Sequence, residues 1–195
     1  MAEQPSLTST FSRFGRFLIT TAAFTGAGFA LASCAQGDRV PPPCPEVRVD
    51  SATAEFTKFR DGAGRAAGDV EYHAELAGFK GSCKVDADKR VDIVMEADFV
   101  VTPGPAVKAG DQPIYFFVAI PQFFPQPVGK QIFGITYQPS GKQMEPQKIH
   151  VNDLRVRIPL KKDQSAASYD IYMGLQVTPD QLEFNRTQAA AATSR

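Results

Sequence analysis

Between residues 91 and 101 apolar side chains recur at every second position. Val91, Ile93, Met95, Ala97, Phe99 and Val101 alternate with Asp92, Val94, Glu96, Asp98 and Val100. Successive side chains of an extended strand point to opposite faces, so this pattern predicts a half-buried β-strand. The same period runs through much of the chain. Val47 and Val49 alternate with Glu46, Arg48 and Asp50. A short segment spans 56–59. Over 70–79, Val70, Tyr72, Ala74 and Leu76 share one face and Glu71, His73 and Glu75 the other. The run IYFFVAI at 114–120 is apolar throughout and predicts a central strand buried on both faces. Further strands are predicted over 128–137, 149–160 and 169–177.

Turn chemistry separates most of these segments: RDGAGRAAGD, DADKR, TPGPAVKAGDQP, PQFFPQP and PSGKQMEPQ. There is no strand–helix alternation and no internal repeat. Seven or eight strands in this order predict an all-β fold over 46–177, an antiparallel two-sheet sandwich with an immunoglobulin- or fibronectin-like outline. A small barrel is the alternative. The tail, 178–195, reads differently. Thr178-Pro179-Asp180-Gln181 combines a capping hydroxyl, proline at the first helical position and a glutamine three residues after the cap. It predicts a short C-terminal helix to about residue 191, held at its start by Leu182 and Phe184.

Composition narrows the function classes. The 195 residues carry 21 Lys and Arg against 21 Asp and Glu, so there is no basic excess with which to bind nucleic acid. Fifteen Phe, five Tyr, fifteen Pro and fifteen Gly, with no Trp, suit a turn-rich β protein.

The first 33 residues read as an address. Arg13 and Arg16 precede an uncharged stretch, FLITTAAFTGAGFALAS, at 17–33. A basic segment, an apolar segment and small residues, in that order, make a secretory signal peptide. The apolar run is diluted by three Thr, two Gly and a Ser, and a spanning helix wants about 20 strongly apolar residues. An uncleaved anchor is therefore second to cleavage.

The stretch ends in Leu31-Ala32-Ser33-Cys34. This resembles the lipobox of bacterial lipoprotein precursors. The resemblance implies a diacylglycerol on the Cys34 sulfur, cleavage before Cys34, and an acyl chain such as palmitate on the new amino terminus. Acyl chains add roughly 0.8 kcal/mol per buried methylene, so two or three hold a protein on a bilayer. Ala30-Leu31-Ala32 also fits an ordinary signal-peptidase site, which would leave Cys34 as a free thiol. Ala35, where many inner-membrane lipoproteins carry Asp, resembles the outer-membrane sorting class. The implied location is the periplasmic face of the outer membrane, with the inner membrane second.

Removing Glu3, Arg13 and Arg16 with the leader leaves 19 basic and 20 acidic residues. Residues 34–45 form a tether in which Pro41, Pro42 and Pro43 favour extended polyproline structure. Three cysteines is an odd number; with Cys34 acylated, Cys44 and Cys83 remain. In an oxidising compartment they are expected to form a disulfide, with two buried free thiols as the alternative. No Cys-x-x-Cys motif points to redox catalysis.

Motifs for chemistry are weak. The two histidines, His73 and His150, lack zinc spacing and read as solvated strand residues. The segment 86–97 slightly resembles a calcium loop, but Val91 stands where glycine is required and Ala97 where glutamate is. It reads as a hairpin turn. Gly62, Gly64 and Gly68 have phosphate-loop composition at the wrong spacing. Asp92, Glu96 and Asp98 read as the wet face of a strand. No cofactor or metal is expected. Phe123 and Phe124, adjacent in a proline-rich loop, are the candidate partner-binding residues. The competing reading has one of them capping the core.

The segments PPPCPEVRV, FRDGAGR, DVEYHAELAGFKGSC, YFFVAI and TPDQLEFNR resemble small uncharacterised envelope lipoproteins of alphaproteobacterial type. That family carries no activity to transfer. The functional expectation is a non-catalytic, lipid-anchored envelope protein that acts as a scaffold, assembly or protein-interaction module. A binding module for an envelope glycan or lipid is the alternative, and a hydrolase ranks below both.

Overall fold

A computed structural model describes residues 43–62, 64–139, 145–161 and 163–193. The elements are β1 (Glu46–Val49), α1 (Ser51–Ala54), β2 (Glu55–Phe59), β3 (Val70–Val85), β4 (Arg90–Pro103), β5 (Gln112–Ala119), β6 (Lys130–Tyr137), β7 (Gln147–Pro159), β8 (Asp170–Leu175) and α2 (Pro179–Thr193). The strands form two four-stranded sheets, ordered β1-β8-β5-β6 and β2-β3-β4-β7. The result is a β-sandwich with a C-terminal helix, as the sequence predicts. In the second sheet β2, β3 and β4 are consecutive neighbours, and β7 returns to pair with β4.

The core forms where the alternating strands face one another. Val91, Met95, Ala97, Phe99 and Val101 of β4 are each at most 1% exposed. Opposite them lie Ile114, Phe116 and Val118 of β5 and Ile171, Met173 and Leu175 of β8, all equally buried. Phe99 and Phe116 touch across the interface with ring centroids 4.9 Å apart. Cys44, just before β1 in the first sheet, is bonded to Cys83 in β3 of the second. The disulfide therefore ties the two sheets together where the chain enters the domain.

The structure departs from expectation at three places. First, β1 and β8 pair in parallel, Glu46 beside Asp170 through Val49 beside Met173, so the first sheet is mixed. These strands stand at opposite ends of the domain sequence, and no hairpin forces them to be antiparallel. Second, β5 is not buried on both faces. Tyr115 is 52% exposed, and Phe117 and Ala119 are half-buried. On that outer face the short helix α1 covers Gly174, where a Cβ would sit 2.3 Å from the Thr53 hydroxyl, and leaves Tyr115 bare. Third, Glu71, expected on the wet face of β3, is 1% exposed. The loop after β4 folds over it. Gly104 N–H donates to the Glu71 carbonyl and Ala106 N–H to that of Val70. Lys108 Nζ then lies 2.6 Å from Glu71 Oε1. Only glycine fits at 104, because a Cβ there would lie 2.2 Å from the Val70 oxygen.

The capping box forms as read. Gln181 N–H donates to Thr178 Oγ1 at 3.3 Å, and Thr178 N–H donates to Gln181 Oε1 at 2.8 Å. The first turns of α2 dock on the edge strand β2. The Phe184 ring meets Phe59 with centroids 5.5 Å apart, and Asn185 donates to the carbonyls of Ala52 and Glu55.

Residues 44 and 83 are 39 apart in sequence. A loop of that length gives about 4 kcal/mol in the chain-entropy model, with roughly 2–4 kcal/mol the usual range for a disulfide. Replacing both Cys44 and Cys83 by serine is expected to lower the unfolding free energy by that range, read from the urea midpoint. A midpoint unchanged from wild type would contradict a structural role for the bridge.

Candidate functional site

One end of the sandwich gathers the features singled out in the sequence. Cys44 enters there, and β1 starts beside the beginning of β8. β5 runs opposite to β8, with Ala119 beside Tyr172, so the β5–β6 connection lies at the same end. In the second sheet the β3–β4 turn joins it through the disulfide at Cys83. The chain leaving β7 lies against that turn, with Leu160 N–H donating to the Lys89 carbonyl.

The β5–β6 connection, residues 120–129, is a tightly hydrogen-bonded loop. Ile120 N–H donates to the Gly129 carbonyl, Phe123 N–H to Ile120, Phe124 N–H to Pro121, Gln126 N–H to Phe123 and Gly129 N–H to Gln126. Gly129 is required for this closure, since a Cβ there would lie 2.7 Å from both the Phe123 carbonyl carbon and the Phe124 nitrogen. The turn sends its two phenylalanines in opposite directions. Phe123 is 8% exposed and stacks on Tyr169, with centroids 5.2 Å apart and planes inclined by 11°. Phe124 is 74% exposed. The expectation that both form a contact surface is thus corrected for Phe123, which is core; the exposed aromatic is Phe124 alone.

A second exposed apolar area lies on the outer face of the first sheet. Tyr115 and Phe117 of β5 pair with Gly134 and Ile132 of β6. Tyr115 is 52% and Ile132 57% exposed. Lys130 Nζ sits 4.6 Å above the Phe117 ring, a cation–π contact. Gly134 leaves room for the Tyr115 ring, whose Cε1 is 3.5 Å from where a Cβ would stand. This face is not legible in the residues, because an unbroken apolar run carries no alternation. The partial signal was Gly134 on the neighbouring strand.

The outer face of the second sheet is polar and internally matched. Arg157 donates to Asp92 at 2.8 Å, and Lys80 pairs with Glu96 at 2.9 Å, which raises the Lys80 pKa. His150 Nδ1 lies 2.8 Å from Asp98 Oδ1. His73 sits elsewhere, 3.2 Å from the Thr57 hydroxyl and 3.4 Å from Glu55. The histidines are not brought together: His73 pairs with Thr102 and His150 with Asp98, four positions apart along β4. Among the described residues, no group of three or more His, Cys, Asp or Glu side chains is arranged to hold a metal ion. In the calcium-like turn the acids serve the protein instead. Asp86 accepts the Arg90 backbone N–H at 2.8 Å and its side chain at 3.0 Å, holding the carboxyl below its usual pKa, and Arg90 also reaches Asp88.

Glu71 and Lys108 form an ion pair between a buried carboxylate and a half-exposed amine. The hydrogen bond to Glu71 raises the Lys108 pKa above the usual lysine value. Next to it, burial first and the Glu71 charge second push the Tyr72 hydroxyl up to about 12. This pair sits beneath the β4–β5 loop, at the opposite end from Cys44, and acts as a structural clasp.

The described residues line surface depressions, two of which involve the disulfide. A polar one of about 400 Å³ is lined by Ser82, Lys84, Asp92, Val94, Arg155 and Arg157. An apolar one of about 210 Å³ lies beside the disulfide, against Val47, Phe79 and Met95. The latter is smaller than the roughly 300–1,000 Å³ of typical small-ligand sites. Cys34 and the proposed lipid attachment lie outside the described residues. Among those residues no helix is long and apolar enough to cross a membrane. No family model matches the chain, and neither a curated protein nor a solved structure matches it.

The two phenylalanines should separate cleanly in stability. Phe123→Ala is expected to cost about 3 kcal/mol or more, as for other buried aromatics. Phe124→Ala should stay within about 0.5 kcal/mol of wild type. Urea unfolding of the pair checks this; equal losses would place both rings in the core.

Proposed function

We propose that the protein is a lipid-anchored envelope lipoprotein whose β-sandwich is a non-catalytic protein-interaction or scaffold module. Cleavage before Cys34 and acylation of its sulfur and amino terminus attach it to a membrane. The absence of Asp at position 35 favours the periplasmic leaflet of the outer membrane. The disulfide between Cys44 and Cys83 is consistent with an oxidising space, since such bonds do not persist in a reducing cytosol.

The observation that carries the interaction reading is the open face of the first sheet. Tyr115 and Ile132 are more than half exposed on regular, paired strands, next to Phe117 and its covering Lys130. Exposed aromatic and aliphatic groups on a rigid frame, rimmed by a cation, suit a protein contact. The glycan- or lipid-binding alternative rests on the polar depression of about 400 Å³ at Lys84, Asp92 and Arg157 and on the smaller apolar cleft beside the disulfide.

Cys34→Ala is expected to move the protein from the membrane fraction to the soluble periplasm, followed by fractionation and immunoblot. Persistent membrane attachment would count against acylation. A photo-crosslinking residue at position 132 is expected to trap one partner of defined mass in intact cells, and Tyr115→Ala should weaken that band several-fold. If position 132 gives no product while surface control positions behave alike, the sheet face is not the contact.

A further inference from the structure

We infer that Phe124 is a second membrane contact: the β5–β6 loop presents it to the interfacial region of the bilayer that holds Cys34. The inference rests on the acylation proposed above. Nine residues, 35–43, separate Cys34 from Cys44. Even fully extended, that segment spans at most roughly 35 Å. The 16-residue strand β3 alone is longer, roughly 50 Å at the usual strand rise. A segment that short ties the Cys44 end of the sandwich to within its own reach of the lipid, and Phe124 is exposed at that end.

The chemistry of this end suits a headgroup layer. Phe124 is 74% exposed, and Val85, at the β3–β4 turn, is 36% exposed. Lys84, Lys89 and Lys161 are exposed here, and none has an ion-pair partner among the described residues. Arg90 and Arg157, by contrast, are already matched by Asp86, Asp88 and Asp92. Three uncommitted lysines on the same end as an apolar tip, against the exposed acid Asp163, favour anionic headgroups while the tip enters the acyl boundary. The loop is also rigid by construction: five successive backbone hydrogen bonds and the Phe123–Tyr169 stack hold it. Phe123 fills the core position at this turn, and Phe124 is left outside it.

The chain contains no tryptophan, so Phe124→Trp introduces a single indole reporter. The mature lipidated variant, purified from membranes, is reconstituted into vesicles of phosphatidylethanolamine and phosphatidylglycerol, with and without brominated acyl chains. Tyr115→Trp, on the sheet face, is the parallel control. The expected result is a blue-shifted emission for the variant at 124 and loss of most of its intensity with brominated lipid, against little loss for the variant at 115. Three results would overturn the proposal, each in a different way. Flotation with the vesicles but no bromine quenching at 124 leaves the anchor intact and removes the loop contact. A blue shift without quenching assigns Phe124 to a protein contact, such as a second copy. Failure to float with vesicles removes the acylation and the loop contact together. As a check on folding, Phe124→Trp should keep the wild-type urea midpoint.

Discussion

Phe99 meets Phe116 across the gap between two sheets, and the rest of the domain is arranged around that seam. Such an aromatic pair contributes about 0.5–1.5 kcal/mol beyond the area it buries. Its larger role is to fix register. A slip of one residue along β4 would turn Met95, Ala97 and Phe99 to water and bring Asp92, Glu96 and Asp98 into the core. The acids are instead met outside by Arg157, Lys80 and His150. The wet face of the second sheet is thus accounted for by the same alternation that builds the core.

The two ends of the sandwich are held by different chemistry. At the far end a single buried carboxylate, Glu71, is matched by a half-exposed lysine, and the Gly104 turn brings them together. At the entry end a covalent bond joins the sheets, and the β5–β6 loop plugs the core with Phe123. Function is proposed where the surface is left apolar: the face bearing Tyr115 and Ile132, and the tip bearing Phe124. Both lie on one hairpin, β5–β6. That hairpin has its inner face in the core, so its outer side chains are displayed on a rigid support.

Much of the framework was legible in the residues. Alternation at 91–101 located β4, the DADKR turn closed its hairpin, and Thr178 to Gln181 marked the start of α2. The disulfide followed from counting cysteines once one was assigned to lipid. The candidate surface was only half legible. Two adjacent phenylalanines between prolines announce an unusual loop, but nothing local says which ring turns inward; the Tyr169 ring, 46 residues after Phe123, decides it. The run at 114–120 hid Tyr115 because apolar residues on both faces look alike whether or not the second face is covered.

By itself the sequence determined the periodicity of the strands, the start of the terminal helix and the residues available for a disulfide, because these depend on spacing of a few positions or on redox chemistry. Tertiary structure alone decided the parallel pairing of β1 with β8, the burial of Glu71 and the opposite fates of Phe123 and Phe124. Each of those depends on a partner far away in the chain: Asp170 beside Glu46, Lys108 above Glu71, Tyr169 beneath Phe123. Local pattern records which side chains prefer water, but the neighbour that replaces water is chosen only when the sheets close.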